Sequence, residues 1–266
     1  MDLRKSCGVQ MTTKYNKFKT VYFLIPVYNE ALNVETLSNG LINTLKDKDK
    51  FFLFVDDCSE DETVENINRC FSKTSYEIIK KEKNTGPGHS FNMGFEWILE
   101  NSKNESDIIV TIEADNTSDT TILPNMIAIS ELGYDLVLAS VYAQGGGFEK
   151  TSFTRKIVSF LANMLFRTFF DVKVLTLSSF YRVYKISLIR KIQDNYQAII
   201  SERGFISMLE ILLKAIRMNA EIIEVPMVLK SGQRKGKSKM KIINTTLSYL
   251  NFLLFRRESY RANKKP

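Results

Sequence analysis

Two carboxylates with one small residue between them stand directly after an apolar run. Glu113 and Asp115 flank Ala114 and follow residues 108–112, whose sequence is IIVTI. Side chains at i and i+2 of an extended chain point to the same side, so both carboxylates could face one site. Such a pair suits a hard divalent cation, Mg²⁺ or Mn²⁺, that keeps positions open for phosphate oxygens and neutralises a diphosphate leaving group. A solvated acidic loop that caps the next helix with Asp119 explains the same residues.

Two other kinds of site require specific residues at defined positions of this segment. A calcium-binding loop counted from Asp115 needs Gly at its sixth position and Glu at its twelfth. Those positions hold Thr120 and Met126, which excludes that kind of loop. A haloacid-dehalogenase-type phosphatase has an apolar strand followed by DxDxT, and residues 113–117 (EADNT) depart from this pattern at the nucleophile, where Glu113 stands. The phosphatase remains an alternative.

A second acidic pair, Asp56 and Asp57, follows the apolar run at 51–55. A carboxylate at a strand tip can accept hydrogen bonds from a base or from ribose hydroxyls. Alternatively, the charges complement the dipole of the helix that follows. The neighbouring acidic residues of SEDE already supply that charge, so we expect at least one member of the pair to bind a ligand.

The segments around these groups alternate between strand-like and helix-like patterns. Short apolar runs predict strands at 21–27, 51–55, 76–80, 108–112 and 134–139. Helical patterns lie between them, near 30–45, 62–71, 90–100 and 121–132. Ser59 with Glu62 predicts a capping box for the second helix. The alternation predicts an α/β fold, with a Rossmann-like, mostly parallel sheet and helices on both faces.

Polar clusters follow the first four predicted strands, in the order PVYNE, DDCSEDET, KNTGPGHS and EADNTSD. Ligands of such sheets bind beyond the carboxyl ends of the strands, so four polar tips at one edge predict a pocket. The strand–helix pattern changes after three consecutive glycines, residues 145–147, which predict a flexible joint.

The positive charge of the chain is concentrated at its C-terminal end. The net charge is +7, yet residues 230–266 hold 11 Lys or Arg and one acidic residue, Glu258, which gives +10 there and −3 elsewhere. A basic tail on a near-neutral body predicts an anionic partner. Nucleic acid is disfavoured, because aromatic residues do not interleave with the charges. The central basic cluster comprises Arg234, Lys235, Lys237, Lys239 and Lys241.

Two amphipathic helices are predicted beside these charges, one within about residues 151–170 and one within about 240–255. Basic residues next to an apolar face are typical of membrane-interface helices. No window reaches the roughly 18 uninterrupted apolar residues of a membrane span, and the first residues lack the apolar core of a signal peptide. The three cysteines lack metal-site spacing. We expect a cytoplasmic protein that is peripheral at the cytosolic face of a membrane.

Together the motifs resemble a known family. FLIPVYNEALNVETL, FVDDCSEDET, NTGPGHSFNMGF and DIIVTIEADNTSD are similar to the GT-A domain of family 2 glycosyltransferases. SFTRKIVSFLANMLFR, LSSFYRVYK and RKGKSKM resemble segments of dolichol- or polyprenyl-phosphate sugar synthases. The resemblance spans about residues 20–255. It implies an inverting transferase, serving a cell-envelope or other glycan, that moves a sugar from a nucleotide-sugar to a polyprenyl phosphate.

The resemblance also implies roles for individual residues. The nucleotide-sugar would be held by Pro26, Tyr28, Glu30, Asp56, Asp57, Glu113, Ala114 and Asp115. Glu113, Asp115 and Thr117 would hold the metal. Asp115, Arg155, Arg182 and Lys239 would act in catalysis, the three basic residues by contacting phosphates.

The sequence departs from the pattern of these synthases at several of these places. Glu113 replaces the first Asp of DxD, and Thr117 stands where Gln is frequent. Val141, Thr176, Phe180 and Gln233 replace Arg, Asp, Gly and Arg of the pattern. These departures suggest a non-standard sugar or nucleotide.

Three regions are expected along the chain: an extension at 1–19, the glycosyltransferase domain at 20–230, and a basic loop with an amphipathic helix at 231–266. Two alternatives stay open. One is a family 2 transferase for a soluble or cell-surface glycan, and the other is a degenerate GT-A protein that binds a membrane partner. A separate transmembrane subunit or self-association could complete the membrane site.

Overall fold

The computed structural model describes residues 20–102, 104–150, 163–164, 166–170, 172–236, 248–249 and 251–252. The helices whose two ends lie in these ranges are α1 (Val34–Ile42), α2 (Thr63–Phe71), α3 (Pro87–Asn101), α4 (Leu123–Glu131), α5 (Ile186–Asn195) and α6 (Ser207–Arg217). Residues 163–164, 166–170, 248–249 and 251–252 are also helical. The strands are β1 (Thr20–Val27), β2 (Asp49–Asp56), β3 (Ser75–Lys80), β4 (Ile108–Thr111), β5 (Leu136–Ser140), β6 (Gly147–Glu149), β7 (Arg182–Lys185), β8 (Ile222–Pro226) and β9 (Val228–Lys230). Short 3₁₀ turns lie at Thr120–Ile122 and Ser231–Gln233.

Seven of these strands form one sheet in the order β3-β2-β1-β4-β7-β5-β8. Only β7 runs antiparallel to its neighbours in this sheet, where it pairs with β4 and β5. The strands β6 and β9 form a separate parallel pair beside it. The prediction of a mostly parallel α/β sheet with helices on both faces is therefore confirmed.

The central strand β1 explains why the sheet is covered on both faces. Its sequence TVYFLIPV has no polar residue after Thr20, and nearly every side chain is buried, as expected for a strand between two helical layers. Tyr22 and Leu24 belong to the core beneath α3, α5 and α6. Phe23 and Ile25 belong to the core beneath α1, α2 and α4. A shift of β1 by one residue would move every side chain to the opposite face. Burial of both faces therefore fixes the register of β1, and with it the position of the polar residues that follow the strand.

The predicted strands and helices of the first 140 residues are confirmed, with shifts of a few residues at their ends. The capping box was wrong. Helix α2 begins at Thr63, and its N-cap Glu62 makes no side-chain capping bond. Instead the Ser59 hydroxyl accepts a hydrogen bond from the backbone N–H of Asn29 (2.9 Å), because the loop after β2 folds back on the loop after β1. Asp119 caps as predicted, by accepting from Thr121 N–H (3.1 Å).

Gly145 and Gly146 belong to a tight turn and Gly147 begins β6, whereas a flexible joint was expected. A Cβ atom on Gly146 would lie 2.5 Å from the carbonyl oxygen of Ser140, and Gly145 has a φ of 92°. Glycine is thus required for close packing and for backbone conformation. The turn leads directly into β6, which pairs with β9.

Most of the two predicted amphipathic helices lies outside the described residues, and so do Arg155 and Lys239. The described parts of the two segments contact each other: Phe166 lies 5.0 Å from Tyr249 and Phe170 lies 5.8 Å from Phe252, between ring centroids. Phe252 is only 2% exposed. None of the helices in the described ranges combines the length and hydropathy that a membrane span needs.

Candidate active site

The polar tips of four strands meet at one edge of the sheet. Strand register places Val27 of β1 beside Asp56 of β2, and Asp56 beside Lys80 of β3. On the other side of β1, Leu24 pairs with Thr111 at the end of β4. Because β7 is antiparallel, its first residue Arg182 lies opposite Thr111 at this same edge. The loops that leave this edge build the candidate site.

At the tip of β2, Asp57 organises the loop that follows β3. Its carboxylate accepts hydrogen bonds from the backbone N–H groups of Thr85 (2.8 Å) and Gly86 (2.9 Å), and it pairs with Lys81 at 2.6 Å. Asp56 accepts from the backbone N–H of Ser59, at 3.1 Å and 3.4 Å to its two oxygens. Asp57 is therefore a positioning residue, and Asp56 retains more acceptor capacity for a ligand.

The tip of β1 is fastened to α2 and to its own helix. The backbone N–H of Glu30 donates to the Thr63 hydroxyl (2.7 Å), and the Asn33 amide donates to the Glu30 carboxylate (2.5 Å). Pro26 and Tyr28 are half-buried at the same tip. Pro26 at the end of β1, and Tyr28 and Glu30 just after it, are the three residues expected to hold a nucleoside here, with Asp56 on the neighbouring strand.

Asn33, which sequence reasoning missed, connects three loops of the site. It is 1% exposed. Its side chain donates to the carbonyl of Lys235 and accepts from the N–H of Lys235, both at 3.0 Å. Its own carbonyl accepts from the Asn116 amide (3.0 Å). The partner is a backbone segment 202 residues away, so no residue type in the sequence signals the contact.

The carboxylate of Asp115 is nearly buried and is shared by two partners. One oxygen accepts from the backbone N–H (3.0 Å) and the hydroxyl (2.7 Å) of Thr117. The other oxygen accepts from Arg234, through Nε at 2.8 Å and also through Nη2. This ion pair joins the loop after β4 to the basic segment after β9. The positive charge of that segment was the only feature of the sequence that pointed to it.

Glu113 lies in different surroundings. It lines a cavity of about 210 Å³ between α1 and the loop after β4, and Asp115 instead faces Thr117 and Arg234. The remaining lining residues are Thr36, Leu37, Gly40, Ile112, Asn116, Ser118, Asp119, Thr120, Thr121, Lys230 and Gln233. Within this cavity wall Lys230 pairs with Asp119 at 3.1 Å. That both carboxylates hold one cation stays a prediction.

The side chains of the cavity wall also lower the pKa of Asp119. Burial alone would raise its pKa. The hydrogen bonds from Thr121 and Lys230, together with the charge of Lys230, outweigh burial, so the pKa of Asp119 is lowered from 3.8. The ionised carboxylate is thereby stabilised in the folded protein.

Arg182 is fully buried and serves the fold. Its guanidinium donates to the carbonyls of Ser179 (2.6 Å), Leu177 (2.9 Å) and Met208 (2.9 Å), and to the Tyr184 hydroxyl (3.3 Å). These bonds hold the chain that leads into β7. A phosphate could contact Arg182 only by displacing several of these partners, so the phosphate contact expected for Arg182 stays a prediction.

Of the departures from the synthase pattern, Thr176 has a clear structural role. Its hydroxyl lies 2.5 Å from the Ser140 hydroxyl, and its backbone N–H donates to Glu224 (2.8 Å). Glu224 also accepts from the N–H of Leu175 (2.7 Å). The carboxylate that organises this loop therefore comes from the half-buried Glu224 of β8, and a neutral Thr at the buried position 176 avoids a second negative charge beside it.

The sequence family described as Glycosyl transferase family 2 matches residues 22–193, which is more than half of the chain. The chain belongs to this family. The match ends before the segment that carries Arg234 and Lys235, so the contacts of Asn33 and Asp115 with that segment lie partly outside the family's shared region.

Two relatives of this glycosyltransferase are named for lipid phosphates. A dolichol-phosphate mannosyltransferase of Pyrococcus furiosus is 29% identical over 225 residues, which is 83% of this chain and 59% of that protein. An undecaprenyl-phosphate mannosyltransferase of Micrococcus luteus is 25% identical over 221 residues, or 83% of this chain and 87% of that protein. The chain thus spans less than two thirds of the length of the archaeal relative.

Solved structures show the same fold. Glucosyl-3-phosphoglycerate synthase from Mycobacterium tuberculosis, in complex with Mn²⁺, UDP-glucose and phosphoglyceric acid, superposes with a TM-score of 0.67 at 14% identity. The match covers 90% of this chain and 80% of that one. This glycosyltransferase therefore has the GT-A fold, while the ligands and the ion belong to the mycobacterial protein.

A divalent ion suits the residue types of the site but not their present arrangement. Asp115 already accepts four hydrogen bonds, about as many as a carboxylate can take. Within the described ranges no three His, Cys, Asp or Glu side chains are placed to share a metal. A cation could reach Asp115 only if Arg234 moved away.

Proposed function

We propose that this family 2 glycosyltransferase transfers a sugar, with inversion, from a nucleotide-sugar to a polyprenyl phosphate at the cytosolic face of a membrane. The observation that carries the proposal is its likeness, over 83% of the chain, to two transferases named for dolichol phosphate and undecaprenyl phosphate. The basic C-terminal end and the two amphipathic segments support a membrane location. The acceptor and the location are inferred from this likeness and from charge.

The donor would bind over the tips of β1, β2 and β4. Asp56 is the best-placed acceptor for a base or ribose, with Pro26, Tyr28 and Glu30 beside it on the tip of β1. Asp57 supports them by fixing the loop at Thr85. Ala114 is 4% exposed and packs in the core beneath α1 and α4, so its proposed contact with the donor would be made through the backbone.

The chemistry asks little of a general base, because a phosphate acceptor is already an anion at neutral pH. The protein must position two substrates and cancel their negative charge. Mg²⁺ or Mn²⁺ would neutralise the charge that develops on the diphosphate leaving group, and Glu113, Asp115 and Thr117 are the proposed ligands. Arg155 and Lys239 would neutralise the acceptor phosphate, while the buried Arg182 would hold the chain leading into β7.

Transfer assays with Asp115→Ala test this proposal. Purified protein is incubated with radiolabelled nucleotide-sugars and polyprenyl phosphate in detergent, and the label in the lipid phase is counted. We expect transfer by the unchanged chain and a loss of at least about 100-fold in the variant, as when one group that stabilises transition-state charge is removed. Asp47→Ala, at an exposed position, is the control.

Other outcomes separate the alternatives. Label in a water-soluble glycan with none in lipid would favour a soluble acceptor. Binding of lipid vesicles without transfer of any sugar would favour a non-catalytic membrane protein. Undiminished lipid transfer by Asp115→Ala would remove Asp115 from the mechanism.

Vesicle flotation of a chain that ends at Met240 tests whether the last segment anchors the protein to membranes. If the shortened chain floats with vesicles as well as the full chain does, the last segment is no anchor.

A further inference from the structure

One segment crosses the mouth of the candidate site and is fastened at three points. We call residues 230–236 the strap. Lys230 donates its backbone N–H to the carbonyl of Thr117 (2.8 Å). Lys235 exchanges two hydrogen bonds with Asn33, at 3.0 Å each. Between these anchors, Arg234 pairs with Asp115. The strap therefore ties the tip of β4 to the start of α1.

The middle anchor occupies the carboxylate that the proposed function requires. Asp115 is 7% exposed, and Arg234 supplies the positive charge next to it. Arg234 binds through two nitrogens of one guanidinium, which gives a directed, charge-assisted contact. Thr117 takes the remaining acceptor positions of the same carboxylate.

We propose that Arg234 and a divalent cation exclude each other at Asp115, so that a metal-bound nucleotide releases the strap. This inference rests on the proposed function. A cation at the same oxygen would meet both a filled acceptor position and a like charge at contact distance. Arg234 is thus a positioning residue: it holds the strap closed in the donor-free protein and leaves Asp115 when the donor arrives.

Release of the strap has a consequence for the order of binding. The strap runs directly into residues 237–241, which contain Lys239, the residue proposed for the acceptor phosphate. When Arg234 leaves Asp115, its guanidinium becomes available to an anionic group. The donor with its cation would therefore bind first, and the lipid phosphate would follow to a strap that has been freed.

The exclusion predicts a gain of metal affinity when Arg234 is neutralised. Coupling between two sites is reciprocal and commonly amounts to about 5–150-fold in affinity. Arg234→Gln should therefore bind Mn²⁺ at least about fivefold more tightly than the unchanged chain, measured by the spectroscopic signal of free Mn²⁺. The titrations use Mn²⁺ alone and Mn²⁺ with UDP or GDP.

Lys235→Gln is the matched control for this titration. It removes the same charge from the adjacent strap position, where the side chain is exposed and only the backbone contacts Asn33. We expect its Mn²⁺ affinity to stay within about twofold of the unchanged chain, because the coupling acts through Asp115. Equal effects of the two substitutions, weaker binding by Arg234→Gln, or no Mn²⁺ binding by any chain would overturn the proposal.

Hydrogen exchange on the unchanged chain gives a second test that needs no variant. The N–H groups of Lys230 and Lys235 are protected by Thr117 and Asn33. Mn²⁺ with UDP or GDP should accelerate exchange in the peptide that contains residues 230–236, and slower or unchanged exchange would contradict release. Lipid transfer is measured separately. If sugar is transferred to lipid but neither the gain of Mn²⁺ affinity nor the faster exchange is seen, only the role proposed for Arg234 is wrong. If both changes are seen without transfer to lipid, the proposed acceptor is wrong.

Discussion

Asp57 and Lys81 form a buried ion pair that joins the tip of β2 to the end of β3. The distance between Nζ and Oδ1 is 2.6 Å, and the two side chains are 7% and 4% exposed. Lys81 also donates to the Ser90 hydroxyl at 3.0 Å. The pair thus couples the predicted nucleoside site to helix α3.

Replacing Lys81 by Met should destabilise the protein strongly. The carboxylate of Asp57 would remain buried without its counter-charge, and breaking such a pair costs about 3–5 kcal/mol. Urea unfolding measures the change in the free energy of unfolding. Lys80→Met, at the exposed neighbouring position, is the control and should change stability by less than about 0.5 kcal/mol. Similar losses for the two variants would show that the ion pair is unimportant.

A second buried pair, Glu210 and Lys214, should be as sensitive. The two side chains are 0% and 1% exposed and 2.7 Å apart. Glu210 also accepts from Ser201 N–H (3.0 Å), and Lys214 donates to the carbonyl of Ala198 (2.9 Å), so the pair holds the loop before α6. We expect Lys214→Met to cost about 3–5 kcal/mol.

The exposed pair of Arg190 and Glu105 provides the comparison for this prediction. Its atoms are 2.9 Å apart, much like the buried pair, but its side chains are 36% and 65% exposed. Arg190→Met should therefore cost less than about 1 kcal/mol. If chemical unfolding gave the same loss for Arg190→Met as for Lys214→Met, burial would not be the cause.

The periodicity of the sequence was enough to predict most of the fold. Strands such as β1 and β4 consist mainly of apolar residues, and polar residues follow each of them. The common edge of a parallel sheet then brings Asp56 and the loop at Glu113 together. The strap was not predictable, because Asn33 recognises the backbone of Lys235 across 202 residues of sequence. No local sequence pattern indicates such a contact.

Arg182 and Ser59 show that residue type alone does not reveal which groups a side chain contacts. A motif arginine at a strand end suggests a phosphate ligand, yet its guanidinium is 0% exposed and donates to backbone carbonyls. Ser59 stands three residues before Glu62, the spacing of a capping box. In the folded protein its hydroxyl instead accepts a hydrogen bond from the backbone N–H of Asn29. In both cases the side chain makes its hydrogen bonds to backbone groups of the folded chain.

Gly88 should tolerate no side chain, even though it lies in the first turn of α3. A Cβ atom there would lie 2.0 Å from the carbonyl oxygen of Glu202. Its N–H also donates to the carbonyl of Arg203 (2.7 Å). Gly88→Ala gains helix propensity worth about 1 kcal/mol. Overpacking against backbone should outweigh this gain, with a net loss of about 1–3 kcal/mol on urea unfolding.

Gly204→Ala is the matched control in the facing loop. No heavy atom lies within 4 Å of a Cβ built there, and its φ is outside the left-handed region. Its stability should be unchanged or raised by up to about 1 kcal/mol, since alanine restricts the unfolded chain. A loss at Gly204 equal to that at Gly88 would show that backbone conformation, and not crowding, sets both results.

The lowered pKa of Asp119 predicts a stability that depends on pH. Because the folded-state pKa lies below 3.8, its contribution is fully present above that value and is lost as the pH falls through the folded pKa. Asp119→Asn keeps a capping residue but loses the ion pair with Lys230, which is partly exposed (3.1 Å). Urea unfolding at pH 7 should show a loss of about 0.2–1 kcal/mol. The difference from the unchanged chain should begin to shrink as the pH falls below 3.8. Asp47→Asn, an exposed change of the same charge, corrects for net charge. A difference that stayed constant as the pH fell from 7 to below 3.8 would contradict the role of the ionised carboxylate.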